Sequence, residues 1–338
     1  MSFVLRAAHP GDLEAIYAMA KSTGGGFTNL PPDRPALKAK LERAIAAFTR
    51  QEELVADDLF LFVLEDVASG RLRGTCQIFS KVGSTWPFYS YRISALTQYS
   101  KALDRTVRAE MLTLSTDLDG ASEVGGLYLY PQERSSGIGA LLARSRYLFM
   151  KTHRPRFAGM TIAELRGCQD QAGHSPFWDG VAGRFFGMSF READDFNAIH
   201  GNQFIADLMP KHPIYTALLP DSALAAMGVP HASGRAAMRM LEKEGFAFSH
   251  YIDIFDGGPT MTIATDQIAT IQQARTDTLI AIGRPEQPKP SIVAAGQLAD
   301  FRACYGDLAA TAGGVMLDEV AAAQLGVSPG DAVSHVPR

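Results

Sequence analysis

The sequence predicts an α/β (α+β) fold, on three observations. Segments of strand and helix character follow one another through most of the 338 residues. One such pair, residues 123–150 (EVGGLYLYPQERSSGIGALLARSRYLFM), runs from a strand through a glycine-containing turn straight into an amphipathic helix. The composition, 46% hydrophobic and 20% charged, is that of a chain that folds around an apolar core. At this length it holds one large or two ordinary domains.

Residues 3–7 are a short apolar strand. Gly11-Asp12-Leu13 starts a helix whose apolar face carries Leu13, Ile16, Tyr17 and Ala20, the spacing of one buried stripe. Gly24-Gly25-Gly26 breaks it. Phe27-Thr28-Asn29-Leu30-Pro31 follows as an extended loop, either a linker or a segment that approaches a substrate closely. Residues 36–48 form a second amphipathic helix. Residues 59–65 and 73–79 are strands around a turn at Ala68-Ser69-Gly70, a hairpin. Residues 84–100 carry Trp86, Phe88, Tyr89, Tyr91 and Tyr99; they read as an irregular insertion packed on the core, or as a pocket wall with Arg92 as its polar element. Residues 111–114 are a short strand.

The central strand, residues 124–130, has the β-branched and aromatic content of a buried strand and ends at Pro131, which cannot donate to a ladder. Gly137 and Gly139 open the following helix, whose apolar positions are Ile138, Leu141, Leu142, Leu148 and Phe149. The first N–H groups of such a helix have no internal partner, and the dipole adds positive charge, so this turn suits an anion, with Arg134 and Arg144 adding to it. Residues 157–165 are a strand, and 166–175 a polar loop with Gly167, Gly173 and His174. Pro176-Phe177-Trp178-Asp179 starts a helix that runs through Phe185 and Phe186 to Gly187. Residues 204–209 are helical, broken by Pro210-Lys211-His212-Pro213, and 221–227 make a short helix. Residues 233–244 are a helix with Ser233 as N-cap and Gly245 at its C-terminal end. Residues 246–255 alternate as a strand before the Asp256-Gly257-Gly258-Pro259 turn. Residues 285–290 read as a linker, and 292–338 as a small β-rich tail with a helix at 318–325.

The net charge of −4 argues against a dedicated nucleic-acid binder. Cys76, Cys168 and Cys304 show no paired spacing, which suggests a reducing compartment and no zinc site. No signal-peptide pattern opens the sequence, and no apolar run reaches about 18 residues. A cytoplasmic protein without metal or membrane span is expected.

Arg134-Ser135-Ser136-Gly137-Ile138-Gly139 after a strand resembles the acyl-CoA loop of the GNAT acyltransferases, and residues 4–20 (VLRAAHPGDLEAIYAMA) resemble their strand–helix opening. Residues 241–246 resemble the helix–turn–strand ending of that fold, and residues 184–190 echo it, which hints at a diverged second half. Several blocks together resemble the arginine N-succinyltransferases of bacterial arginine catabolism. They are Phe27-Thr28-Asn29-Leu30-Pro31, Ser175-Pro176-Phe177-Trp178, Arg184-Phe185-Phe186, and the stretches 208–215 (LMPKHPIY), 241–246 and 251–259 (YIDIFDGGP). The resemblance implies a GNAT-like acyltransferase fold. The implied division is an acyl-CoA-binding domain over 1–200, a second GNAT-like half over 201–283 that completes the active site, and the tail over 284–338. It implies transfer of succinyl from succinyl-CoA, a co-substrate rather than a prosthetic group, to the α-amine of L-arginine. It places the CoA contact at Leu127 and the proton donor at His231. It leaves open another acceptor such as ornithine, and a homo-oligomer or a heteromer with a sister subunit, including a non-catalytic partner role.

Acyl transfer to an amine needs proton removal from the ammonium, oxyanion stabilisation and thiolate expulsion. In a GNAT-like site the backbone N–H near Leu127 or Tyr128 serves the oxyanion. Leu127, Tyr128 and Leu129 pair with the pantetheine amides as an added strand does, and Arg134, Gly137 and Gly139 hold the pyrophosphate. His231 suits acid–base work near neutral pH, with His212 as its competitor. The guanidinium of arginine calls for a carboxylate, for which Glu123, Glu164, Asp253 and Asp256 are candidates. The succinyl carboxylate calls for Arg92 or Arg166. Cys168 is a minor candidate for a covalent nucleophile.

Overall fold

A computed structural model describes residues 3–23, 29–134, 137–170 and 172–338, without the side chains of 198–200. The triple glycine, Phe27, Thr28, Ser135 and Ser136 lie outside the described residues. In chain order the elements are β1 (Phe3–Ala7), α1 (Leu13–Ser22), α2 (Arg34–Thr49), β2 (Leu59–Asp66), β3 (Arg71–Phe79), β4 (Ser90–Ser100), β5 (Arg105–Ser115), β6 (Ser122–Leu129), α3 (Ile138–Thr152) and β7 (Met160–Glu164). Then come α4 (Pro176–Gly180), α5 (Gly183–Phe186), α6 (Phe190–His200), α7 (Gln203–Leu208), β8 (Ile214–Tyr215), α8 (Asp221–Ala226), α9 (Arg235–Lys243), β9 (Ala247–Ile252) and β10 (Pro259–Ala264). The chain finishes with α10 (Ala269–Gln273), β11 (Arg275–Ile282), β12 (Lys289–Ala295), β13 (Arg302–Thr311), β14 (Gly314–Leu317), α11 (Glu319–Leu325) and β15 (Ala332–Pro337). The mixed α/β class read from the sequence is the class observed.

The chain forms two compact units, each drawn from separated segments. One comprises Met1–Ser80, Ser122–Gly159 and Ala264–Arg338, the other Lys81–Ala121 and Met160–Ile263. In the first unit β1, β2, β3 and β6 pair in that order, each antiparallel to the next. Strand β2 (LFLFVLED) is buried along nearly its whole length, as a strand covered on both faces must be. Helix α2 packs on it, started by Pro35 and by Asp33, whose carboxylate accepts the Ala36 N–H at 2.8 Å. The rings of Phe48, Phe60, Phe62 and Phe149 meet at centroid distances of 4.8–6.0 Å.

The C-terminal strands are β-rich, as the sequence suggests, and they join this sheet. β13 pairs with β1 through Cys304, Ala303 and Arg302. β12 pairs with both β13 and β15, β15 with β11, β11 with β14, and β14 with β13, so the five strands close into a ring. Closure leaves no open edge among them. Strand β12 starts inside the run read as a linker. Asp318, read inside the last helix, is its N-cap: its carboxylate accepts the Ala321 N–H at 2.9 Å.

In the second unit the strand order is β7-β10-β9-β4-β5-β8. Two readings are corrected here. Residues 90–100 are a regular strand rather than an irregular insertion, paired with β5 in unbroken register from Ser90↔Ser115 to Ser100↔Arg105. Its aromatic residues have separate fates: Tyr91 is buried against Phe177, whereas Trp86 and Tyr99 are exposed. The helix expected over 176–187 is two, α4 and α5, because the chain kinks at Val181 (φ −118°, ψ −89°). Both α5 and α9 are followed by a glycine at positive φ, Gly187 and Gly245, but the first leads into α6 and the second into β9.

Candidate functional site

The first unit carries the central strand–turn–helix. Along β6 the register with β3 slips: Gly74 faces Leu129, Thr75 faces Tyr128, then Gln77 faces Gly125. Gly126 and Leu127 therefore share the place opposite Cys76, a β-bulge that re-aims the strand. Gly126 makes the bulge possible. It sits at φ +57°, and a Cβ there would stand 2.8 Å from Gln77 Cγ. Its carbonyl accepts the Thr75 hydroxyl at 3.2 Å. Leu127 is half-buried at the bulge, while Tyr128 and Leu129 are buried. The Tyr128 and Ser22 hydroxyls are 2.5 Å apart.

Beyond β6, Arg134 is exposed and its Nε donates to the Leu129 carbonyl at 3.1 Å, which folds the side chain back over the strand end. Gly137 is the N-cap of α3, at φ +76°, and Gly139 lies in the first turn, where a Cβ would meet no atom of the described residues within 4 Å. Arg144, read as further charge for an anion here, is engaged elsewhere: Nε donates to Thr270 Oγ1 at 2.9 Å and Nη1 to the Pro337 carbonyl at 2.8 Å.

The start of β6 holds a buried polar network. Gln77 Nε2 donates to Asn29 Oδ1 at 2.6 Å, Asn29 bonds Glu123, and the Lys40 ammonium donates to the Asn29 carbonyl. Burial pushes the Glu123 carboxyl up to about 7, against the opposing pull of Lys40. Burial likewise brings the Lys40 ammonium down to about 7. The Lys40 and Glu123 charges each favour the other's ionised form against this burial.

The second unit carries His231. The loop after β7 and the loop before α9 zip together: the His231 N–H donates to the Arg166 carbonyl at 2.7 Å, Gly167 and Pro230 form an antiparallel bridge, and Cys168 Sγ donates to the Val229 carbonyl at 3.6 Å. The pairing sets Arg166 and His231 side by side. Nδ1 of His231 faces Ser233, 2.7 Å from its hydroxyl and 3.3 Å from its N–H. Ser233 is thus a partner of the histidine rather than the cap of α9, whose N-cap is Gly234. Burial, and then the Arg166 cation, hold the His231 imidazole below its ordinary pKa, which favours its neutral form. His212 is exposed in the turn between α7 and β8.

The acidic candidates separate by their hydrogen bonds. Asp253 Oδ1 accepts the N–H groups of Phe255 (2.7 Å) and Asp256 (2.8 Å). Asp256 accepts from Gly167 (2.7 Å) and Gly258 (2.9 Å), tying the Arg166 loop to the turn after β9. Both hold backbone N–H groups, and burial raises the pKa of each. Glu164 ends β7, half-buried. Of the two arginines, Arg92 is exposed and paired with Asp117 at 3.3 Å. Arg166 is half-buried, bonds Gln169, and keeps a buried Nε with no partner among the described residues. Burial lowers its pKa, and Asp256 and Asp194 pull the other way.

Asp194 is the residue that sequence reasoning missed. It lies on α6, which Ser189 and Glu192 start with a capping box. Burial, then the charges of Asp253 and Asp195, push its carboxyl up to about 6, and no hydrogen-bond partner stands by it among the described residues. The signal was present: Asp194 follows the buried Phe190 by four residues and adjoins the buried Ala193, so it sits on the core side of the helix. Among the described residues there is no cluster of three or more His, Cys, Asp or Glu side chains able to hold a metal ion, and no helix is long and apolar enough to cross a membrane.

Residues 3–270 match the family described as arginine N-succinyltransferase beta subunit, and residues 260–337 its C-terminal domain. Proteins named arginine N-succinyltransferase from Salmonella schwarzengrund and Salmonella agona are 41% identical over 282 residues, 83% of this chain and 81% of theirs. A solved structure from Pseudomonas aeruginosa, arginine/ornithine succinyltransferase subunit AI, superposes with a TM-score of 0.89 at 35% identity, over 99% of this chain and 98% of that one.

Proposed function

The chain belongs to the arginine N-succinyltransferase family, and from that premise we propose that it transfers the succinyl group of succinyl-CoA to the α-amine of L-arginine, releasing CoA. The observation that carries this reading is the family match from residue 3 to residue 337, which spans both units. It is an acyltransferase reaction, the first step of a succinyl route of arginine catabolism. Its dependence on succinyl-CoA argues for the cytoplasm.

In this reading the pantetheine arm lies along Leu127, Tyr128 and Leu129 as an added strand, with the pyrophosphate at Arg134, Gly137 and Gly139. The amine attacks the thioester carbon, and the oxyanion that forms takes a backbone N–H at the β6 bulge. His231, whose Nδ1 accepts the Ser233 N–H, is the acid–base group of this step. It takes the proton from the attacking nitrogen and returns it to sulfur as the C–S bond breaks. A lowered pKa serves both halves of this exchange: the imidazole is free to accept, and its conjugate acid gives the proton up readily. Arg166 supplies the charge for the succinyl carboxylate, because its Nε is buried without a partner among the described residues whereas Arg92 is paired at the surface.

The test is thiol release by the purified chain with succinyl-CoA, comparing L-arginine, L-ornithine and L-lysine, with acetyl-CoA as control donor. Release confined to succinyl-CoA with arginine is expected. His231→Ala is expected to lower kcat by about 10²–10⁴-fold while CoA binding persists. Equal rates in wild type and His231→Ala would remove the histidine from the chemistry.

A second reading has its own support. The Pseudomonas neighbour is described as an arginine/ornithine succinyltransferase subunit, and the family as a beta subunit. Under it the acceptor range includes ornithine, and the chain works with a sister subunit. CoA binding without turnover on any acceptor, cured by adding such a subunit, is its outcome.

A further inference from the structure

Two residues from the C-terminal strands stand at the start of α3, about 170 and 200 positions away from it in sequence. Tyr305 on β13 donates its hydroxyl to the Gly137 carbonyl at 2.7 Å. Arg338, just past β15, lays its guanidinium over the Tyr305 ring, 4.1 Å from Cζ to the ring centre. One of its terminal nitrogens lies 3.1 Å from where a Cβ on Gly137 would be. The backbone beneath it is held twice: the Arg338 N–H donates to the Pro290 carbonyl at 3.0 Å, and Arg144 of α3 binds the Pro337 carbonyl.

Three consequences follow. The cation is stacked and oriented, which lowers the entropy it loses on meeting a ligand. No carboxylate among the described residues is paired with it. It stands at the N-terminus of α3, where the helix dipole adds positive potential, near Gly139, where a Cβ would meet no described atom within 4 Å. A planar guanidinium offers paired donors that match phosphate oxygens.

We propose that Arg338, positioned by Tyr305, is a phosphate-binding residue of the acyl-CoA site, so that the C-terminal strands supply part of the grip on CoA. The proposal rests on the reading that Arg134, Gly137 and Gly139 hold the acyl-CoA phosphates. CoA carries two such groups, the pyrophosphate and the ribose 3′-phosphate, and both present the same chemistry to the guanidinium.

The experiment measures CoA binding by calorimetry and succinyl-CoA kinetics for the full-length wild type, Arg338→Ala, Arg338→Lys and Arg134→Ala. Thermal melts are included to confirm folding; Arg338 is exposed, so the variants are expected to fold. Arg338→Ala is expected to raise the Kd for CoA and the KM for succinyl-CoA by about 10-fold, with kcat within about twofold and a weaker dependence of Kd on salt. Lysine restores part of the loss, since it keeps the charge without the fork. Repeating the binding with 3′-dephospho-CoA separates the sources: a wild-type advantage that persists assigns Arg338 to the pyrophosphate, and one that vanishes assigns it to the 3′-phosphate. Wild-type affinity in a folded Arg338→Ala, with affinity lost in Arg134→Ala, overturns the role of Arg338 and leaves the CoA site standing. Absence of CoA binding by the wild type overturns both.

Discussion

At the scale of single residues, the second unit places one cation among several acids. Arg166 stands beside His231 and within Coulombic reach of Asp256 and Asp194. Burial raises the pKa of all three carboxyls; backbone hydrogen bonds oppose it at Asp253 and Asp256, and none does at Asp194. Its raised pKa therefore marks a destabilising carboxylate. Between its ordinary 3.8 and about 6, the folded chain keeps a proton that the unfolded chain has released, so stability falls as pH rises through that window. Asp194→Asn is expected to raise the melting temperature at pH 7–8, with the gain shrinking as pH falls toward 4. If the carboxylate is kept to receive the cationic acceptor, the same variant raises the KM for arginine. Melts across pH together with acceptor kinetics check both parts; an unchanged melting temperature at pH 8 would show that Asp194 carries no such penalty.

At the scale of elements, the bulge in β6 is the device that matters. A regular strand would continue its ladder with β3 through residue 127; the extra residue re-aims the backbone there. Gly126→Ala forces a side chain into a left-handed position and against Gln77. The expected cost is about 1–3 kcal/mol of stability, read from denaturant midpoints, with a fall in kcat when the bulge relaxes. Wild-type stability and turnover in this variant would show that the bulge tolerates a Cβ. The β4–β5 ribbon obeys a different logic. Its base is buried through Tyr91 and Leu112, and its outer half is exposed on both faces, so no periodic burial pattern announced it as a strand.

At the scale of the whole molecule, both units are assembled from distant segments. The C-terminal strands give β1 its second neighbour, β13, and send Phe301 into the aromatic cluster, 5.2 Å from Phe149 and 5.9 Å from Phe62. Phe301 is 1% exposed, so Phe301→Ala is expected to cost about 3–5 kcal/mol in chemical denaturation. A loss below about 1 kcal/mol would mean that the C-terminal strands pack only loosely on the rest of their unit.

What the sequence determined by itself was local. Apolar periodicity, caps and breakers located most helices and strands, the strand–glycine turn–helix at 123–150, and the apolar identity of the core, because these signals lie within a few residues of one another. The resemblance in its motifs led to the family and to His231. The tertiary structure alone decided the rest. A bulge depends on the register of a partner strand, as Gly126 shows opposite Cys76. The pKa values of Glu123, Lys40 and Asp194 depend on burial and on charges brought from elsewhere in the chain. The pairing of the 166–168 and 229–231 loops, and the approach of Tyr305 and Arg338 to Gly137, join residues tens to hundreds of positions apart. No window on the sequence spans such distances, and Coulomb forces and packing act on proximity in space.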